Sequence, residues 1–113
     1  MSYPNKCTIW QSTGSDQFGQ RTWRFGVFRS VDELSSGEKI RDARGVEFSP
    51  KQKFWTGLEL VSGAAFVPKE SDFIARGEFS SDRPETAGAQ AIRVRTVYDN
   101  SMFGAADEYL LIT

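Results

Sequence analysis

The chain has 113 residues, fourteen basic and fifteen acidic side chains, a formal charge of −1, one cysteine and no histidine. That length suits one domain spanning residues 1–113, and the near-balance of charge argues against a protein whose affinity comes from neutralising many phosphates. The missing histidine excludes Ser-His-Asp and Cys-His catalysis and removes the commonest metal ligand, while a lone cysteine makes neither an intrachain disulfide nor a thiolate zinc cluster and fits a reducing cytoplasm.

From the N-terminus, Met1 to Lys6 lacks the apolar core and cleavage site of a secretory leader. No later apolar run approaches the ~20 residues that cross a bilayer, so no membrane partner is expected. Alternation with period two, rather than helical spacing, organises the rest of the chain. Cys7 to Gln11 is a short strand, with Cys7 expected as a buried structural thiol. Asp16-Gln17-Phe18-Gly19-Gln20-Arg21, closed by Trp23, is a tight hairpin connection in which Gly19 supplies the positive φ. Trp23, Phe25, Val27 and Val31 then alternate as a half-buried strand interrupted by Arg29.

Val31 to Lys53 reads as a long arm with five charges of each sign: Asp32, Glu33, Glu38, Asp42 and Glu47 against Lys39, Arg41, Arg44, Lys51 and Lys53. Within it, Glu38 to Asp42 and Val46 to Ser49 are strands joined through Ala43-Arg44-Gly45, where Gly45 can take the left-handed conformation. Next, Phe54, Thr56, Leu58 and Leu60 predict one face of a central strand, with Trp55 and Glu59 on the other, between Pro50 and Gly63. Pro68 to Ser71 predicts a single helical or 3₁₀ turn, and Phe73 to Ala75 another short strand.

Ser80 to Gln90 and Asp99 to Asp107 are polar or small-residue surface connections. Between them Ile92, Val94, Thr96 and Tyr98 alternate with Arg93 and Arg95, and Glu108 to Ile112 closes the chain. Seven or eight short strands separated by Gly, Pro, Asp and Ser predict an all-β fold, a small antiparallel and partly open β-barrel or compact sandwich.

Few residues suggest chemistry. The carboxylate pairs Asp32/Glu33 and Asp42/Glu47 have Lys and Arg neighbours and read as solvated ion pairs; no phosphate-cradling loop occurs, and no catalytic residue, metal or cofactor is expected. Arg93 and Arg95, expected on one strand face with Arg76 and Arg83 nearby, suit either single-stranded nucleic acid or acidic groups of a neighbouring subunit. Trp55 on a polar face and Phe103 in a Gly-Ala loop are candidate interface anchors, Phe103 being equally suited to packing within the domain. The arm is either a water-facing hairpin or, among identical copies, a segment whose balanced charges pair with its neighbours.

The motifs in order are Thr8-Ile9-Trp10, Asp16-Gln17-Phe18-Gly19 leading to Thr22-Trp23, Asp42-Ala43-Arg44-Gly45-Val46-Glu47-Phe48-Ser49, Asp72-Phe73-Ile74-Ala75-Arg76-Gly77 and Ala91 to Tyr98. Their order resembles the head-tail joining, or head-completion, proteins of long-tailed bacteriophages, also called stoppers, over nearly the whole chain. Ser71 stands where that family often has glycine, and Arg29-Ser30-Val31 where an Arg-Trp pair is usual.

The resemblance implies a small barrel with a long projecting hairpin arm, assembled as a homo-oligomeric ring in the virion neck after synthesis in the bacterial host cytoplasm. It implies a portal or adaptor protein on the head side, a tail terminator or tail-tube protein on the tail side, and transient non-specific contact with packaged double-stranded DNA. The channel-facing arm residues would be Ser35, Ser36, Gly37, Glu38, Lys39, Arg41, Asp42 and Arg44. Two other expectations stand beside this one: a free-standing nucleic-acid-binding barrel, and a tail-terminator or tail-completion protein of the same particle.

Overall fold

A computed structural model describes residues 3–34, 37–99 and 107–113. The chain is all-β, the described residues forming β1 (Asn5–Ser15), β2 (Arg21–Leu34), β3 (Ile40–Arg41), β4 (Glu47–Phe48), β5 (Gln52–Thr56), β6 (Leu60–Gly63), β7 (Phe73–Arg76), β8 (Gln90–Ala91), β9 (Val94–Tyr98) and β10 (Glu108–Ile112), with a 3₁₀ turn at Pro84–Ala87. The main sheet runs β8-β7-β1-β2-β5-β10-β9, β6 pairs separately with β2, and β3–β4 forms its own hairpin.

The sheet curls because β2, besides pairing with β6, is shared along its length between β1 and β5. Its fourteen residues pair with β1 over Arg21 to Ser30 and with β5 over Val31 to Leu34. A register shift between Ser12 and Gly14 and another between Val27 and Phe28 add twist. The curl brings the sheet ends, β8 and β9, onto consecutive stretches of chain. At the corner between them Ile92 donates its N–H to the Asp72 carbonyl at 2.7 Å, and Arg93 donates to the Ile112 carbonyl at 2.8 Å. One segment therefore borders both edges, and the result is a strongly curled, partly open barrel.

Alternation decides what fills it. Cys7, Ile9, Phe28, Phe54, Ile74, Ile92 and Leu111 meet in the interior, with Leu58, Phe66 and Tyr109 packed against them. Neighbouring residues face outward and are nevertheless covered, because two chain segments fold over the outside. The β3–β4 hairpin lays Phe48 and Ile40 over Leu110, Ile112, Trp55 and Val94. On the other side, residues 77–89 cross β1 and β7 so that Trp10 is fully buried, its Nε1 donating to the Ser81 carbonyl at 3.0 Å.

Two connections repeat one local device. In Asp16-Gln17-Phe18-Gly19-Gln20 the Asp16 carboxylate accepts from the N–H of Phe18 (2.8 Å) and Gln20 (3.0 Å). In Asp42-Ala43-Arg44-Gly45-Val46 the Asp42 carboxylate accepts from Arg44 (2.9 Å) and Val46 (3.0 Å). Gly19 and Gly45 take φ of 78° and 81°. An aspartate that caps its own turn, followed three residues on by a left-handed glycine, fixes both hairpins.

Several expectations need correction. The strand expected from Phe54 to Leu60 ends at Thr56: Leu58 has φ 61° and donates its N–H to Thr56 Oγ1, so its side chain joins the interior while β6 crosses to β2. Pro68 to Ser71 forms no 3₁₀ turn; an N–H from Asp72 to the Lys69 carbonyl closes a β-turn there. The 3₁₀ turn lies at Pro84–Ala87, where proline begins the turn and Gly88 ends it in the left-handed region. The late strand is interrupted at Ile92-Arg93 by the corner, and Val31 to Leu34 belong to the sheet, so the arm begins beyond Leu34.

One end of the barrel holds a buried polar network. Gln11 donates to Asp72 Oδ2 at 2.8 Å, the Lys69 N–H donates to the same oxygen at 2.9 Å, and Arg24 donates to Gln11 Oε1. Burial pushes the Asp72 carboxyl above the usual range despite these donors. A carboxyl whose folded pKa is raised favours the fold below the ordinary value of about 4, and that contribution disappears as pH rises through the folded value. Asp72→Asn, which keeps an acceptor for Gln11 and Lys69, should therefore flatten the fall in melting temperature as pH rises above the ordinary carboxylate value of about 4. Parallel pH-melting curves for the two proteins would contradict this.

Candidate assembly surface

The expected arm residues divide at the base of the β3–β4 hairpin. Gly37, Glu38, Lys39, Arg41 and Arg44 are exposed and Asp42 is half-buried, whereas Ser35, Ser36 and Phe103 lie outside the described residues. The hairpin's apolar side is docked on the barrel and its charged side faces out. Arg93 holds it there: its guanidinium lies 3.9 Å from the centre of the Phe48 ring and donates to Asp42 Oδ2 at 3.2 Å. The Val46 N–H, helped by that of Arg44 and by the Arg93 guanidinium, holds the Asp42 carboxyl below its ordinary range, against the opposing effect of burial. The acid that shapes the turn thus also anchors it.

Other arm charges pair locally. Lys39 lies 3.9 Å from Glu47, and Lys53 contacts Glu38, whose hydrogen bond raises the lysine pKa. Asp32 and Glu33, adjacent on β2, point to opposite faces. Asp32 accepts from Asn5 (3.2 Å) and Gln52 (2.7 Å) and lies 3.3 Å from Arg76. Neither carboxylate pair is therefore arranged as a dyad. A groove of about 260 Å³ separates the tip residues Asp42, Ala43 and Arg44 from Glu70 and Ser71.

The expected arginine stripe is dispersed. Arg95 sits opposite Leu111 and donates to the Pro68 carbonyl at 3.2 Å, while the corner at Ile92 turns Arg93 onto Phe48. Arg76 is with Asp32, and Arg83 donates to Gln20 Oε1 at 2.9 Å beside the first hairpin. Trp55 is half-buried opposite Leu110 and stacks on Tyr98 with centroids 6.0 Å apart. Tyr98 is 45% exposed, so the pair presents an aromatic edge beside the arm.

Cys7 is fully buried, and burial pushes its thiol up to about 12, beside Ser30 and near Asp32. It is inert at neutral pH. Among the described residues no group of His, Cys, Asp and Glu is placed to hold a metal ion, and no helix is long and apolar enough to cross a membrane.

One exposed group was not singled out in the sequence. Phe18, at the tip of the β1–β2 hairpin, is 80% exposed. Its signal was present: in an Asp-x-x-Gly turn the residue before glycine points away from the sheet, where a polar side chain is the ordinary occupant. No family model matches the chain, and comparison with curated proteins and with solved structures gives no match.

Proposed function

We propose that the chain is a structural neck protein of a tailed-phage particle, forming a ring below the portal or adaptor, closing the DNA-filled head and offering the tail its docking surface. The observation that carries this reading is the β3–β4 hairpin, charged outward and seated on a barrel through Phe48, Ile40 and Arg93. In a ring each copy brings the same hairpin to the same radius, so a short segment becomes an annulus of alternating charge. Balanced charge suits such a closure, because tight phosphate binding would oppose DNA release. The dispersal of Arg76, Arg83, Arg93 and Arg95 among internal partners leaves the free-standing nucleic-acid reading without a continuous basic track.

The experiment is charge reversal on the exposed side of the β3–β4 hairpin. Lys39→Glu together with Arg44→Glu leaves Phe48, Asp42 and Arg93 in place and alters only exposed charges, trading the Lys39–Glu47 pair for a solvent-screened repulsion, so the purified protein should melt within a few degrees of the parent. Particles assembled with it should lose packaged DNA or fail to join tails. Full, tailed and infectious particles at parental yield would overturn the role given to the hairpin.

A further inference from the structure

Phe18 and a cleft elsewhere on the same chain are complementary in chemistry and cannot meet within one molecule. The cleft, about 390 Å³, lies between β6 and the segment after β7, and is lined by Phe25, Ser62, Gly63, Glu78, Phe79 and Ser80. Its aromatic wall continues inward, since Trp10 lies 6.4 Å from Phe25 and 6.1 Å from Phe79. Phe18 is held ready rather than loose: its N–H bonds Asp16, Gly19 closes the turn, Thr13 and Thr22 pair their hydroxyls at 2.7 Å, and Arg83 braces Gln20.

Four strand steps separate Phe25 from Arg21, roughly 13 Å along a paired ladder, and Phe18 lies beyond Arg21. The hairpin would have to break its own pairing to place Phe18 in its own cleft. The charges also correspond. The tip carries Asp16 and Arg21, and the cleft rim carries Glu78 with Lys6 3.4 Å from it, so each side offers one charge of each sign.

We propose that Phe18 of one copy inserts into the Phe25–Phe79 cleft of the next. The tip aromatic is then the anchor and the aromatic wall is its receptor. Tip and cleft are different surfaces, so the contact can pass head to tail around a ring or along a filament, whereas a reciprocal exchange of two tips would stop at a two-fold dimer. This deepens the ring reading and rests on it, with Phe18 as the residue that joins neighbours.

The test uses the full chain and two variants that each remove one side of the contact. Phe18→Asp changes an exposed residue and leaves the cleft; Ser62→Trp fills the cleft and leaves the tip. By sedimentation, the parent should gain weight-average mass with concentration up to about 1 mM, and each variant alone should stay monomeric. Mixed in equal amounts, the two variants should form a heterodimer and grow no further, since only one good tip and one good cleft remain.

A benzophenone side chain at position 18 should cross-link a heavy-isotope copy to residues 62–80 of a light copy. Self-association of Phe18→Asp equal to the parent, or cross-links that map elsewhere or do not form, would overturn the contact. A chain that fails here while the β3–β4 charge reversal still blocks particle assembly would lose this contact and keep the ring reading.

Discussion

Gly26→Ala is expected to destabilise the protein by about 3 to 4 kcal/mol, much of the ~5–15 kcal/mol that holds a domain of this size. Gly26 lies on β2 where β6 crosses it, and a β-carbon there would sit 2.2 Å from the Ala64 carbonyl oxygen and 3.1 Å from the Phe28 ring. The first of these is backbone and cannot rotate away. Moving β6 aside would break the bond from the Ala64 N–H to the Phe25 carbonyl, 3.0 Å long, and disturb Gly63, which already approaches Phe25 closely. Added strain and one lost hydrogen bond together account for that magnitude.

Gly57→Ala is the matched control. The nearest atom to its β-carbon is a Tyr3 ring carbon at 3.5 Å, an ordinary contact, and the change should cost about 1 kcal/mol or less. Urea denaturation of both variants decides the point. Equal stabilities would mean that β2 and β6 do not cross as closely as the structure places them.

The second large effect is expected at Trp10. Its side chain is fully buried beneath residues 77–89, and Trp10→Ala removes both an aromatic volume and the donor to the Ser81 carbonyl. Loss of a buried aromatic costs about 3–5 kcal/mol. Part of the result should be local: backbone amides of residues 77–89 should exchange far faster than in the parent, because Phe79 loses its neighbour and the segment loses its anchor. Trp10→Phe, which restores a ring without the N–H, should recover about half the loss. If Trp10→Ala stayed within about 1 kcal/mol of the parent, the outer aromatic layer would be ornamental to stability. Since Phe79 forms one wall of the cleft, the same variant should also weaken the Phe18 contact.

These two positions show where legibility in the sequence stopped. Gly26 sits inside an alternating strand and looks like a weak point in it; only the crossing of β6, far along the chain, makes it indispensable. Trp10 is next to Ile9 on a strand of alternating character, so one of the two should face water. Both are fully buried, because residues 77–89 return to cover the outer face. Arg93 and Arg95 obeyed alternation on paper and parted at the Ile92 corner, where two edges of the sheet claim the same chain. In contrast, Asp16 and Asp42 with their glycines were readable as hairpin turns, since the bonds that shape them span no more than four residues.

The chain's own residues therefore determined the all-strand character, the two aspartate-capped turns and a buried Cys7, all consequences of period-two spacing and short-range hydrogen bonding, whereas the face of β2 that alternation favoured, with Trp23 and Phe25, lies outside the interior set of Ile9, Phe28 and Leu111. Tertiary structure alone decided the barrel closure at Ile92, the seating of the arm by Arg93, the double-sided burial of β1 and the cleft that suits Phe18. The reason is that a strand's spacing states which side chains share a face, while the environment of each face depends on segments distant in sequence that pack across it.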